Sequence, residues 1–563
     1  MLSERTVTKG RIFVALLFAA FTGCDGELAI NADGPSITPP GTQNPGQNNN
    51  TPGSNNPNLG SELTESHLRR LTPVQFENTV RHALGDVFEA EDLPSFGDDI
   101  PTIGLNNNPS ILRINTVNID SLYASMQRLA QAAVQGTPVV SECVEASNDT
   151  CFAEVVDEIG PKLWRRPLQS EERDDLLNTR AELANVASRA EQAEFLIHAL
   201  LASPNTLFRT ELGEVDGEAR VLTQFELASA LSYTLWNAPP DQELWELAAN
   251  NQLGDSEILR AQTTRMLEDP RVADALAEFF VDYLKLEAIF TKTKEASLGL
   301  TPEAREALVE GVRRDLRQIF SQPNATLLDP FSVNNFHVNE YGATFFGVPV
   351  TQGGEYEVVA MDPSERRGIL SHPAFLSVHS GEGDTGIVKR GVFTLEQLLC
   401  IHLGAPPADI SESEDVPEDF DDATATSREV LTVRHSSQPE CVSCHRIIDP
   451  AGFGYENWDG VGRYREVEKG NVVIDASGEL AMGQEVLTYT NSVTFLESLT
   501  GSEALRSCIA DNFFTYALGD APKLSEREAL YQAFAEADGD IHAVLEALVL
   551  SPSFSARKLE EAQ

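Results

Sequence analysis

The five residues Cys441-Val442-Ser443-Cys444-His445 constrain this chain more than any other feature. C-x-x-C-H is the attachment pattern of c-type haem, and the chemistry dictates the spacing. Two thiols add to the two vinyl groups of the porphyrin, and two intervening residues let both reach its edge. The imidazole beside the second thioether is then placed to ligate the iron from one side. With seven cysteines and ten histidines in 563 residues, chance seldom produces the string. Haem c, bound by Cys441, Cys444 and His445, is therefore the expected cofactor. A structural zinc on Cys441, Cys444, His445 and His435 is the alternative, although ligation by adjacent Cys and His is awkward. A thioredoxin-like pair is weaker, because no βαβ pattern surrounds the motif.

The second axial position would decide the chemistry. Met482 could close over the far side, as in electron-transfer cytochromes; His435 ranks beside it, and His379 is a further candidate. An open position would suit a peroxidase-like enzyme. Arg463 and Arg465 could meet the haem propionates, since guanidinium suits carboxylate. Trp458 and Tyr455 would either wall the pocket or fill the core. Asp449-Pro450 is expected to end the motif-bearing helix, because proline disfavours the helical conformation in the residue before it.

The remaining cysteines fit an oxidising compartment. Cys143 and Cys151 are close in sequence and are expected to pair; Cys400 and Cys508 would then pair across domains. Cys24 stands apart. Arg5, Lys9 and Arg11 precede the ten-residue apolar run Ile12–Phe21, too short for a mature membrane span, so residues 1–23 read as an export signal. Phe21-Thr22-Gly23-Cys24 resembles a bacterial lipobox, with Cys24 as the lipidated residue. The region 24–61 reads as a tether rich in Asn, Pro and Gly that cannot bury enough apolar surface to fold. The expected location is the cell envelope, on a lipoprotein facing the periplasm or the cell surface. Lipid would be the only membrane anchor.

With 87 acidic against 41 basic residues, the net charge is −46. A phosphate-tracking surface is excluded, and with it nucleic-acid binding. Between Asp409 and Asp422 eight of fourteen residues are acidic, which reads as a solvated loop or a dock for a cationic partner.

Helix signals dominate the body, so the fold class is mainly α. Thr72-Pro73-Val74-Gln75 is a capped helix start, with Phe76, Val80 and Leu84 on one face and Gly85 as the stop. Thr223–Glu226 and Ser525–Glu528 match the capping box, and Thr301-Pro302 opens a helix striped by Leu308, Val312, Leu316 and Phe320. Strand patterns are sparse; Tyr356–Met361 and Val472–Ile474 are the best. Leu196–Arg209 and Val544–Arg557 align with five of fourteen positions identical. The simplest reading is a buried helix end used twice. Gly381–Gly386 spells G-x-G-x-x-G, but without a βαβ frame it reads as a turn.

The segment Cys441–Glu466, CVSCHRIIDPAGFGYENWDGVGRYRE, resembles the haem-motif segment of the planctomycete cytochrome-associated domains of unknown function, found in exported multidomain proteins of planctomycetes and myxobacteria. Arg366–Cys400, Arg165-Arg166-Pro167-Leu168, the Ser-Pro helix ends and Cys508–Leu518 are similar too, so the resemblance spans nearly all of 65–560. One departure is Gly386-Ile387, where the family often has Ser-Pro. The resemblance implies tandem helical domains around one small c-type-cytochrome-like domain, and favours His435 as a ligand, but supplies no reaction. The segments drawn on it are 62–140, 141–210 (with a small disulfide loop), 211–360, 361–485 (the haem-motif domain) and 486–563. The leading expectation is an exported monohaem electron carrier that docks a redox partner or a polymeric substrate. The rivals are a surface binding or scaffold protein with structural zinc, and a haem oxidase or peroxidase.

Overall fold

The structure is a computed structural model that describes residues 63–559 except 66, 97–103, 106, 108–113, 115–118, 351–352, 405–419, 421–424 and 437–438. The export signal, Cys24, the tether and all of the acidic run but Phe420 lie outside the described residues. The chain is mainly α, and among the described residues its sheets hold only two or three strands each.

Local rules place most helix starts. Thr72 Oγ1 accepts from Gln75 N–H while Gln75 Oε1 accepts from Thr72 N–H, and the helix Pro73–Leu84 follows. Thr223 and Glu226 form the same reciprocal box, and Thr301 caps Pro302–Phe320. Ser525 departs from expectation: the helix Leu524–Glu536 starts at Leu524, so Ser525 sits in its first turn instead of capping it. The expected strand near Tyr356–Met361 is Glu357–Ala360, paired antiparallel with Asn335–Val338; that near Val472–Ile474 shortens to Val472–Val473.

The chain divides into two compact units. The described part of the first comprises 80–94 and 121–206. Its helices Pro138–Glu145, Cys151–Trp164 and Arg189–Ala202 bury Val140, Val155, Ile159, Leu196 and Leu200 completely. A Cys143–Cys151 disulfide joins the first two. Asp149, between them, takes Arg180 at 3.0 Å and Arg189 at 2.7 Å. Both guanidiniums also cover the Phe152 ring.

The described part of the second unit lies within 63–79, 95–120 and 207–559. A single continuous core runs from Leu105 to Phe554, so 211–360, 361–485 and 486–563 share one interior. Helix Pro302–Phe320 lies so close to strand Asn335–Val338 that a Cβ on Gly311 would stand 2.7 Å from the His337 carbonyl. A Cys400–Cys508 disulfide ties the segment after the helical turn Thr394–Leu398 to helix Glu503–Leu518. No described helix is long and apolar enough to cross a membrane.

A reciprocal glycine pair seats the motif helix. Helices Ile387–Phe393 and Pro439–Phe453 touch backbone to backbone. A Cβ on Gly391 would lie 2.2 Å from Ile448 O, and one on Gly452 2.1 Å from Ile387 O. Only a residue without a side chain fits either position.

Candidate functional site

The motif lies on helix Pro439–Phe453, which places Cys441, Cys444 and His445 at i, i+3 and i+4 on one face. Contrary to expectation, Asp449-Pro450 does not end this helix: it continues to Phe453 with Pro450 inside. Proline removes one backbone hydrogen bond, but the tight seat against Ile387 holds the last turn, and Tyr489 Oη donates to Pro450 O at 2.5 Å. The preceding helix, Ser427–Ser436, is tied down at its start. Ser427 donates from N and Oγ to Glu468 at 3.0 and 2.8 Å, and Arg428 donates to the carbonyls of Asp475 and Ser477.

At the far end of that helix, His435 meets His445. Their rings are tilted by 31° with centroids 3.5 Å apart, and both bind one carboxylate. His435 Nδ1 lies 2.6 Å from Asp449 Oδ2, and His445 Nδ1 lies 2.8 Å from Oδ1. A carboxylate only accepts, so each Nδ1 carries the proton and each Nε2 is the nitrogen that can take a metal. Asp449 is 7% exposed. Burial would raise its pKa, but the hydrogen bonds and charges of the two histidines outweigh that and hold it below the usual value. Cys441 and Cys444 are in no disulfide and are half-buried. Donor atoms of His435, His445 and Asp449 lie within 4.8 Å of one another; the two thiols are not in that group.

The other expected residues are placed as follows. Met482, half-buried, ends strand Gly478–Met482 of a hairpin with Glu485–Tyr489, which packs on the motif helix. Arg463 engages Leu298 O, Asp459 and the Phe345 ring, and Arg465 pairs with the buried Glu456 at 3.0 Å. His379 is buried, with Nε2 donating to Leu284 O at 3.0 Å; burial pushes its pKa down to about 3. Trp458 and Tyr455 are fully buried core aromatics, the former donating to Glu365 O and the latter paired with Thr394. The His435 ring lies too close to His445 for a porphyrin to fit between them.

Sequence reasoning missed Asp449 as the bridge between the histidines. Its signal was present: His445 and Asp449 are four apart on a helix. It also missed Arg390, fully buried, which donates to the carbonyls of Tyr455, Trp458, Asp459 and Leu376 and so holds the loop after the motif helix.

Two half-buried thiols and an imidazole on one helix face, with the imidazole Nδ1 held by a carboxylate, form the donor set that covalent haem attachment needs, so these residues fit the group. The domain families that match the chain suggest a cytochrome-related protein. Three domain families match it: PSCyt3, protein of unknown function (DUF1588), over 366–468; PSD4, protein of unknown function (DUF1592), over 222–348; and PSD3, protein of unknown function (DUF1587), over 69–135. The chain belongs to the family built from these planctomycete cytochrome-associated domains of unknown function. No curated protein and no solved structure matches it.

Proposed function

We propose that this protein is an exported, lipid-anchored monohaem c-type protein that moves electrons at the cell envelope. The observation that carries this reading is the helix Pro439–Phe453, with Cys441, Cys444 and His445 on one face inside the PSCyt3 match. The thiols would hold the group through two thioether bonds, each formed by adding S–H across a vinyl double bond, and His445 would ligate through Nε2. When bound, the group supplies a one-electron couple. Asp449 holds the His445 ring in the Nδ1–H tautomer and fixes its orientation. Of the remaining candidates Met482 would serve better than His435 as a further ligand, because His435 shares Asp449 with His445 and lies against its ring. The lipid on Cys24 is tested by fractionation: Cys24→Ala should leave the membrane fraction.

Visible spectroscopy of protein matured in a periplasm tests the haem. Reversible sharp bands of a reduced c-type haem support the reading; a colourless folded protein contradicts it. The second reading is zinc, favoured by the closeness of His435, His445 and Asp449. It predicts a colourless protein with one stoichiometric zinc.

A further inference from the structure

The internal repeat assembles a second site. Each copy passes from its Ser-Pro through a four-residue helix, Pro204–Leu207 or Pro552–Ser555, into a short strand, Phe208–Glu211 or Ala556–Lys558. The matched arginines, Arg209 and Arg557, both donate to Glu211, the second at 2.5 Å. Arg69 arrives on strand His67–Arg70, which pairs antiparallel with Phe208–Glu211 and sets Arg69 opposite Arg209. Its Nη1 lies 3.5 Å from Glu211, and it donates to Ala517 O and Tyr516 O at 3.0 Å each. Three guanidiniums, 3–5% exposed, thus face one carboxylate that is 1% exposed.

Three positive charges against one negative leave a net +2 in the interior. An uncompensated buried charge costs several kcal/mol. The other carboxylates acting on Tyr516, Glu278 and Asp282, are paired with Arg313 at 2.8 Å and Lys285 at 3.0 Å. Beside the cluster is a cavity of about 20 Å³, lined by Arg69, Arg209, Asn107, Thr234 and Tyr516 among others. That volume admits one small ion or one water. Two buried polar atoms on its wall residues, Arg209 Nε and Thr234 Oγ1, have no hydrogen-bond partner. Water in the cavity would leave the excess charge in place, whereas an anion offsets it and accepts from the donors of the wall.

We propose that this cavity binds a small monovalent anion of the halide class, held by Arg209 and Thr234 and neutralising the excess charge of the arginine cluster. Thermal unfolding of the full chain in sodium chloride against sodium gluconate, at constant ionic strength, tests it. Gluconate is too large for the cavity. Chloride and bromide should raise the melting temperature saturably, and Thr234→Val and Arg209→Lys should each weaken the apparent chloride affinity at least tenfold. Should Arg209→Lys fail to fold, Thr234→Val decides, since it keeps every charge and nearly the same shape. Bromide-soaked crystals should give an anomalous peak in the cavity. Equal melting in both salts, an unchanged Thr234→Val response, or a cavity without bromide would overturn the proposal.

Discussion

Glu211 shows what one buried carboxylate among three arginines does to stability. Burial would raise its pKa, but Arg209, Arg69 and Arg557 prevail and hold it at about 2, against an ordinary value of 4.5. A depressed carboxylate contributes stability above its unfolded pKa and loses it as pH falls through the folded one. Between pH 4.5 and 2 the wild type should therefore lose about 3 kcal/mol that Glu211→Gln does not. Melting curves of both proteins should converge toward pH 2; a constant gap across that window would contradict the assignment. Asp449 acts at the same scale. In haem-loaded protein, Asp449→Asn should raise the reduction potential by on the order of 60 mV, a tenfold shift in preference for the reduced state, because the Nδ1–H of His445 loses its anionic partner. A potential unchanged in redox titration would show that Asp449 only packs. Of these residues the sequence made Cys441, Cys444 and His445 legible, since their chemistry lies in one local string. Glu211 and Arg69 were not, because their partners arrive from distant segments; at Asp449 the contact to His445, four residues back on the same helix, was readable, while His435 arrives from the preceding helix.

Among the elements, the contact between helices Ile387–Phe393 and Pro439–Phe453 decides where the motif sits. Gly452→Ala would put a Cβ 2.1 Å from Ile387 O, where backbone and not a flexible side chain must move. Overpacking of this kind costs roughly 1–3 kcal/mol or more. The melting temperature should fall by several degrees, and in haem-free protein the thiol accessibility of Cys441 and Cys444 should rise. An alanine variant that melts with the wild type would contradict the close seat. Helix starts at Thr72, Thr223 and Thr301 were readable because a cap is local chemistry. The hairpin Gly478–Met482 with Glu485–Tyr489 was not, because its turn, Gly483-Gln484, lacks the strong Asn-Gly signal. Asp449-Pro450 misled for the opposite reason: a local breaker was overridden by tertiary packing.

For the whole molecule, mainly α character could be read from helix signals, and the family from the segments around the motif. The shared interior that runs from Leu105 to Phe554 among the described residues could not, because a continuous core depends on contacts between residues far apart in sequence. The two disulfides differ in what they constrain. Cys400–Cys508 closes a separation of 108 residues and Cys143–Cys151 one of 8. Loop-closure entropy puts their contributions at about 5 and about 2.5 kcal/mol. Removing Cys400–Cys508 as a double serine variant should therefore cost more in denaturant unfolding than removing the other; the reverse order would contradict the entropic account. The central claim, haem held covalently by Cys441 and Cys444, is tested most directly by the intact mass of denatured protein matured in a periplasm. The account predicts a mass higher by one haem in the wild type and no covalent haem in the Cys441→Ser, Cys444→Ser double variant. A folded wild-type protein with two unmodified thiols at these positions would contradict it.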